Sequence, residues 1–444
     1  MERSVTKGIL SAVVSVAAVA MLASPADARG RRAGECLAPN GVDDTEALQS
    51  ALERCVGARH RCVVSLCEGV LQTAPVRVRD FRGVLRGAGR ERTVIRALPA
   101  LLVNDNPFGY WRDDPLEPGR DPWPYLLQFV EGRAEIRDLS VEIPSPEPGE
   151  RPTSGWNDGW SWRSELAGAI LLTGRDPVRF DVKHVRIVAG PDAHPAAMSG
   201  TTLWTGVHFQ GLLFNPGDDS PYPVYPVRGR FRISDSELLG MENGTPLWEL
   251  ADARVTVSGN RYRSIVGMNV LDTTRSRVAV YGNHWDVDRV GAEVILNLDG
   301  EPSRDNTFLI THNRGSIGTL VDLPSGVFFW DLGTLEGDPG SSDVLLAGNR
   351  LRVGVEGNTA VSGLEAWGAR RLWVYGNALS GWAGTGIGVD DTTGCRVFGN
   401  ALADLDSGSG PDLELGLGTS GCLAVVGLDD VVLDQGTGNQ IVRR

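Results

Sequence analysis

A short phrase, an alternating apolar run closed by Gly-Asn, recurs through the second half of this 444-residue chain. The dipeptide stands at Gly259-Asn260, Gly282-Asn283, Gly348-Asn349, Gly357-Asn358, Gly376-Asn377, Gly399-Asn400 and Gly438-Asn439, and Thr311-His312-Asn313 varies it. Asn260 to Asn283 and Asn377 to Asn400 are both steps of 23 residues, while Asn349 to Asn377 is 28 and Asn283 to Asn313 is 30. Periods of about 20–50 residues mean stacked repeats rather than one closed core. The runs before each Asn, such as 254–258, 277–281 and 371–375, alternate apolar and polar side chains, the period of a half-buried strand. Gly and Asn then tolerate the positive φ of a turn. Helices of useful length do not fit between the runs, and propeller blades need about 40 residues or more. Coils of three short strands do fit. Stacking them puts one Asn above the next, so that their amides can bond along the stack.

Upstream, runs at 63–66, 76–79, 81–89, 93–95, 134–143, 180–188 and 231–239 read as the first coils, with larger interruptions between them. One helix precedes them. Asp43-Asp44-Thr45-Glu46 has the form of a capping box, with Asp43 as N-cap and Glu46 reaching back. Ala47, Leu48, Ala51, Leu52 and Cys55 then share a helical face, which would cover the open end of the stack. The stretch Gly41-Val-Asp-Asp-Thr-Glu-Ala-Leu-Gln-Ser-Ala-Leu52, then Gly87-Ala-Gly-Arg-Glu-Arg-Thr-Val-Ile95, then Gly-Asn coils, resembles the pectin-lyase-like superfamily of right-handed parallel β-helix proteins. The resemblance covers most of the chain. It implies an all-β fold, a single-stranded right-handed parallel β-helix with an N-terminal capping helix. That superfamily holds polysaccharide lyases, polygalacturonase-type hydrolases, uronate epimerases and phage tailspikes, so the fold does not select a reaction.

Residues 1–28 read as a cleaved signal peptide, with Arg3 and Lys7 before an apolar run from Gly8 to Leu22 and a small-residue site at Ala26-Asp27-Ala28. The expected organisation is then a cap over 29–62 and a β-helix over 63–444, with insertions near 99–124, 144–166 and 190–227. A secreted or periplasmic location favours disulfides among the six cysteines. Cys395 and Cys422 occupy equivalent Gly-Cys positions about one coil apart and are expected to pair. Cys36, Cys55, Cys62 and Cys67 would form two more bridges, with three connectivities open. These four lack a C-x2-C knuckle, so no metal site is expected.

The formal charge is −13, and no block of basic residues occurs, which argues against nucleic acid as a partner. Lys7 and Lys183 are the only lysines, so positive work falls on Arg. In a solenoid, function usually lies in loops that depart from the repeat. The three insertions carry Trp111, Trp156, Trp160, Trp162, Trp204 and Tyr222 as candidate sugar-binding aromatics. They carry Asp114, Asp158, Glu165 and Asp219 as candidate catalytic carboxylates, because glycoside hydrolysis needs such a pair. The competing reading packs these loops onto their own scaffold. His184 and His208 read as packed or surface histidines, and His284 as a turn residue. Asp390-Asp391 reads as an inter-coil turn, because no Gly-His-Gly or Arg-x-Lys follows it. Within the irregular stretch 291–343, Val327-Phe-Phe-Trp-Asp331 is an apolar burst suited to a groove wall or an oligomer contact. The expectation is an exported monomer that binds or degrades polysaccharide through an aromatic and acidic cleft in its N-terminal half. Its alternative is a non-catalytic glycan-binding or structural β-helix of the envelope or extracellular space. No cofactor is expected, and Ca²⁺ enters only for a lyase.

Overall fold

Asn260, Asn283, Asn313, Asn349, Asn377 and Asn400 form one continuous hydrogen-bonded column. In this computed structural model the described residues are 36–60, 62–98, 125–143, 168–174, 177–189, 205–211, 226–297, 303–318, 325–332, 341–356, 360–406 and 410–444. They belong to one unit, Cys36–Arg444. Along the column each Oδ1 accepts both the backbone N–H and the side-chain Nδ2 of the Asn one coil earlier. Asn283, for example, donates both to Asn313 at 3.0 Å. Each Nδ2 also reaches a backbone carbonyl of the preceding coil, as in Asn313 to Val280 at 3.1 Å and Asn349 to Ile310 at 2.9 Å. Every amide is thus satisfied inside a dry stack, where an unpaired one would be costly. Ser236 continues the column by donating its N–H to Asn260. Asn439 belongs elsewhere, accepting from the Cys422 N–H at another corner. Asn358 lies outside the described residues.

The residue before each column Asn adopts the left-handed region, with φ of 66° at Gly282 and 62° at Gly376. A Cβ at Gly282 would meet no atom within 4 Å, so backbone conformation and not crowding selects glycine there. His312 holds the same conformation at φ 55° in the variant repeat.

Each regular coil supplies three runs that pair in parallel with the next coil. On the first face, Arg254↔Arg277↔Thr307↔Asp343↔Arg371 are successive partners. On the second, past the Asn corner, Arg261↔His284↔Arg314↔Arg350↔Ala378 are partners. On the third, Asn269↔Glu293↔Phe328↔Glu365↔Gly388↔Glu414 are partners. The all-β parallel helix expected from the sequence is the fold observed. Some runs join across the corners into long strands, such as Glu237–Ser258, with register shifts where they bend. Inward positions form the core. Val255, Val278, Phe308, Val344, Leu372 and Val397 line it from the first face, and all are buried. Phe308 meets Phe329 of the third face edge-on at 5.4 Å.

The helix Thr45–Glu53, the single one among the described residues, buries Leu48, Ala51 and Leu52 over the first coils. Its capping differs from expectation. Asp44 is the N-cap residue, without a side-chain cap bond, and Ala47 faces solvent. The buried Asp44 carboxylate instead accepts the Asn40 and Gln72 N–H groups, tying the helix to the first coil. Asp43 is drawn off by Thr45, whose N–H it accepts at 2.9 Å. Cys395 and Cys422 are bridged as expected, with Cα atoms 4.4 Å apart on stacked coils. The open connectivity at the cap resolves to Cys36–Cys67 and Cys55–Cys62.

Removing one column member strands its neighbours. Asn313→Ala leaves the Asn283 amides without an acceptor and the Val280 carbonyl without its donor, so we expect a loss of about 2–4 kcal/mol. Asn439→Ala, at the partly exposed terminal coil, should cost about 1 kcal/mol or less. Denaturant midpoints of the two variants check the contrast; equal shifts would remove the column from its structural role.

Candidate functional site

Outward side chains of the third face fall into two rows, because alternation along each strand repeats from coil to coil. One row runs Gln128, Leu171, His208, Pro246, Asn269, Glu293, Phe328, Glu365, Gly388, Glu414. The neighbouring row runs Thr173, Gln210, Trp248, Leu271, Ile295, Trp330, Trp367, Asp390. Leu127, Phe129, Val207 and Phe209 point the other way, into the core.

Toward the N-terminal coils this outward side is polar yet buried. Gln128, His208 and Gln210 are wholly buried, and Trp248, Asn269 and Glu293 nearly so. A relay crosses the strands. Thr205 Oγ1 donates to Tyr125 Oη at 3.3 Å, and Tyr125 Oη lies 2.6 Å from His208 Nδ1. With Thr205 as donor, Tyr125 is free to donate to Nδ1, which places the imidazole proton on Nε2. Among the described residues that nitrogen has no partner, and neither does either amide atom of Gln210. The His208 ring stands edge-on to Trp248 at 4.6 Å. Trp248 Nε1 donates to Asn269 Oδ1 at 2.5 Å, and Asn269 Nδ2 donates to Glu293 Oε2 at 2.5 Å. Arg289 approaches the other Glu293 oxygen at 3.5 Å. Burial pushes the His208 pKa down to about 3 and the Tyr125 hydroxyl up, so both stay neutral. The pair can donate and accept hydrogen bonds but holds no charge near neutral pH.

Toward the C-terminal coils the same side opens. Trp330 and Trp367 stack with centroids 5.5 Å apart and planes 25° apart, and Phe328 stands edge-on to Trp330. Beside them a depression of about 190 Å³ is lined by Glu365, Trp367, Thr385, Asp390 and Glu414. Ser362 Oγ donates to Glu365 at 2.9 Å, and Thr385 Oγ1 donates to Glu414 at 3.3 Å. Burial raises the Glu365 pKa; the Ser362 bond opposes this, and the Glu414 charge adds to the rise. Asp391 lies in a turn, as expected, whereas Asp390 is the last residue of the strand Ala378–Asp390 and pairs with Trp367. Asp390 Oδ1 accepts the Asp391 and Gly418 N–H groups, while Asp391 has φ 45° and accepts from Trp367 Nε1.

The candidates Asp114, Asp158, Glu165, Asp219, Trp111, Trp156, Trp160, Trp162, Trp204 and Tyr222 all lie outside the described residues. His208 is a packed strand residue, as expected. His184 is exposed with φ 51°, 3.4 Å from Asp138. Glu365, Glu414 and Trp367 escaped the sequence reading. Their signal is the register that sets them beside Phe328 and Trp330 of the apolar burst.

No family model matches the chain, and no curated protein does. Among solved structures it is similar to PfbA, a surface adhesin of Streptococcus pneumoniae, at 11% identity over 92% of this chain and 90% of that one, with a TM-score of 0.46. A Family 28 exopolygalacturonase of Yersinia enterocolitica is similar at 10% identity, 91% and 76% coverage and a TM-score of 0.43. The mannuronan C-5 epimerase AlgE6 A-module of Azotobacter vinelandii is similar at 14% identity, 91% and 92% coverage and a TM-score of 0.38. At such scores the fold rests on the strand register and not on these likenesses.

A buried histidine held neutral makes stability fall with acid. The folded His208 pKa of about 3 lies below its ordinary value of 6.5. Its contribution is therefore complete above about pH 6.5 and is lost as pH drops toward 3. His208→Gln should flatten that limb of a melting-temperature profile; an unchanged slope would place the acid sensitivity elsewhere.

Proposed function

We propose that this protein binds polysaccharide along the outward side of the third face, with Glu365 and Glu414 as the carboxyl pair that cuts a glycosidic bond. The stacked Trp330–Trp367 pair beside those carboxyls carries the reading. Sugar rings present C–H faces that pack on indoles, while their hydroxyls need polar partners such as Thr385 and Asp390. Glu365 keeps its proton to higher pH than an ordinary glutamate, the requirement for a general acid acting on a leaving oxygen. Two strand steps, about 9.6 Å, separate the Glu365 and Glu414 backbones. A carboxyl that keeps its proton and a second carboxyl lining the same depression are the two groups that glycoside hydrolysis uses. The three disulfides fit an exported protein, and residues 1–28 fit its signal peptide.

The test is a polysaccharide panel with the purified protein, with and without Ca²⁺, following reducing ends and the ultraviolet absorbance of unsaturated sugars. Reducing ends without new absorbance are expected. Trp367→Ala should weaken binding about tenfold. Glu365→Gln should lower turnover about 10²–10⁴-fold while binding persists. Wild-type activity should fall on the alkaline side as Glu365 loses its proton. Absorbance that rises with Ca²⁺ would mean elimination and refute the hydrolytic assignment. Retention of no polymer would refute the glycan reading as a whole.

A further inference from the structure

Six arginines from six successive strands stand in one outward column on the first face. Arg82, Arg133, Arg179, Arg230, Arg254 and Arg277 are consecutive register partners, and all are exposed. At about 4.8 Å per strand the column is about 24 Å long. Like charges directly opposite one another across strands destabilise a sheet, so such a column costs stability unless something neutralises it. Arg82 is bonded to Asp80 at 2.8 Å. Arg133, Arg179, Arg230, Arg254 and Arg277 have no ion pair or side-chain hydrogen bond among the described residues. Two carboxylates share the next outward row, Glu135 and Asp181. Glu135 is engaged by Lys183 at 2.9 Å and Arg137 at 3.2 Å, on the side away from the column. At the cap end, Arg59, His60, Arg82, Arg133 and Arg179 converge with those carboxylates around a depression of about 410 Å³.

The fold does neutralise arginine elsewhere. Past Thr307 the same column reaches Asp343, which accepts from Arg370 at 3.0 Å and from Arg371 at 2.9 Å. Arg275 is likewise held by Asp252, with Nε 2.7 Å from Oδ1. Five arginines without an ion pair among the described residues, in a chain of net charge −13, mark a basic surface that the fold does not pair off as it does at Asp343 and Asp252.

We propose that this column is a docking track for a linear acidic polysaccharide, lying along the stack axis with its carboxylate or sulfate groups meeting successive guanidinium groups. A guanidinium fork bonds such groups bidentately. Anionic groups carried along a linear chain at about one strand spacing would stay in step with the column. Nucleic acid fits less well. The column is one side chain wide, and its flanking row of Val84, Glu135, Asp181, Arg232, Thr256 and Ala279 offers no aromatic ring for a base. The track lies on a different face from the Trp330–Trp367 groove and stands independently of the function proposed there.

The second face supplies a control. Arg261, His284, Arg314 and Arg350 form a shorter basic column, in which partial burial and the flanking arginines lower the His284 pKa. Binding of the full chain to immobilised polygalacturonate, dextran sulfate, neutral dextran and single-stranded DNA would be measured over a salt series. The variant Arg133→Ala/Arg179→Ala/Arg230→Ala should lose about tenfold in affinity for the acidic glycans and show a shallower salt dependence. The charge-matched variant Arg261→Ala/Arg314→Ala/Arg350→Ala should stay within about twofold of wild type. Polygalacturonate against dextran sulfate separates carboxylate from sulfate recognition. Equal losses in the two variants would mean that only net charge matters and would overturn the track, as would an unaffected first variant. Tighter binding of DNA than of either glycan would overturn the assigned occupant. Loss of polyanion binding in Trp367→Ala, with the arginine variant unaffected, would assign the polymer to the groove instead.

Discussion

The asparagine column is the constraint on which every surface of this molecule depends. Each Oδ1 takes two N–H donors from the coil before it, which fixes the vertical alignment of successive turns. In a parallel sheet a one-residue slip would carry every side chain to the opposite side. With slippage blocked, an outward position in one coil stays outward in the next, and residues far apart in sequence become a row. Longer coils do not disturb this. Asn313 and Asn349 are 36 residues apart, yet bond as closely as Asn260 and Asn283 at 23. Between these fixed points coil length varies while register does not.

The third face shows what such alignment permits. Its two outward rows change character along the stack, from a dry relay of Tyr125, His208, Trp248, Asn269 and Glu293 to an open pair of stacked indoles beside two glutamates. Burial acts in opposite senses at the two ends. It strips His208 of its proton and lets Glu365 keep one. The first end gains neutral hydrogen-bonding groups inside the stack, and the second gains a carboxyl that keeps its proton to higher pH beside an open depression.

The repeat itself was legible because Gly-Asn is a local signal: a left-handed φ and an amide in adjacent residues. The Cys395–Cys422 bridge was legible for the same reason, since both residues sit at one phase of neighbouring coils. The cap was half legible. The periodicity of Leu48, Ala51 and Leu52 gave the helix, but Asp44 and Asp43 chose partners in Gln72 and Thr45 that no capping pattern specifies. Rows across coils were not legible. Arg133 and Arg179 are 46 residues apart and Arg179 and Arg230 are 51, so a search for basic blocks passes over them. The Glu365–Glu414 pair is hidden similarly, 49 residues apart and joined only through Gly388. A linear reading sees repeats; it does not see phase within coils of unequal length.

Phase also explains why an acidic protein can hold a basic surface. The arginines of the first face begin its strands, at positions where the next outward residue is apolar, small or of mixed charge, so no carboxylate need stand opposite them. Where neutralisation serves the fold, it is present: burial alone would raise the Asp343 pKa, but hydrogen bonds and charge from Arg371 and Arg370 outweigh it and the net shift is downward. That pair therefore stabilises the fold above the ordinary carboxylate range and loses its effect as pH falls through the lowered pKa. The same geometry was open to Arg133, Arg179 and Arg230 at a cost of one acidic substitution per coil, and the chain, otherwise rich in Asp and Glu, does not use it. An uncompensated column therefore follows from which side chains occupy one phase, not from a shortage of acidic residues. Its repulsion is relieved by counterions in water, and more completely by a polymer whose charges advance at the pitch of the coils.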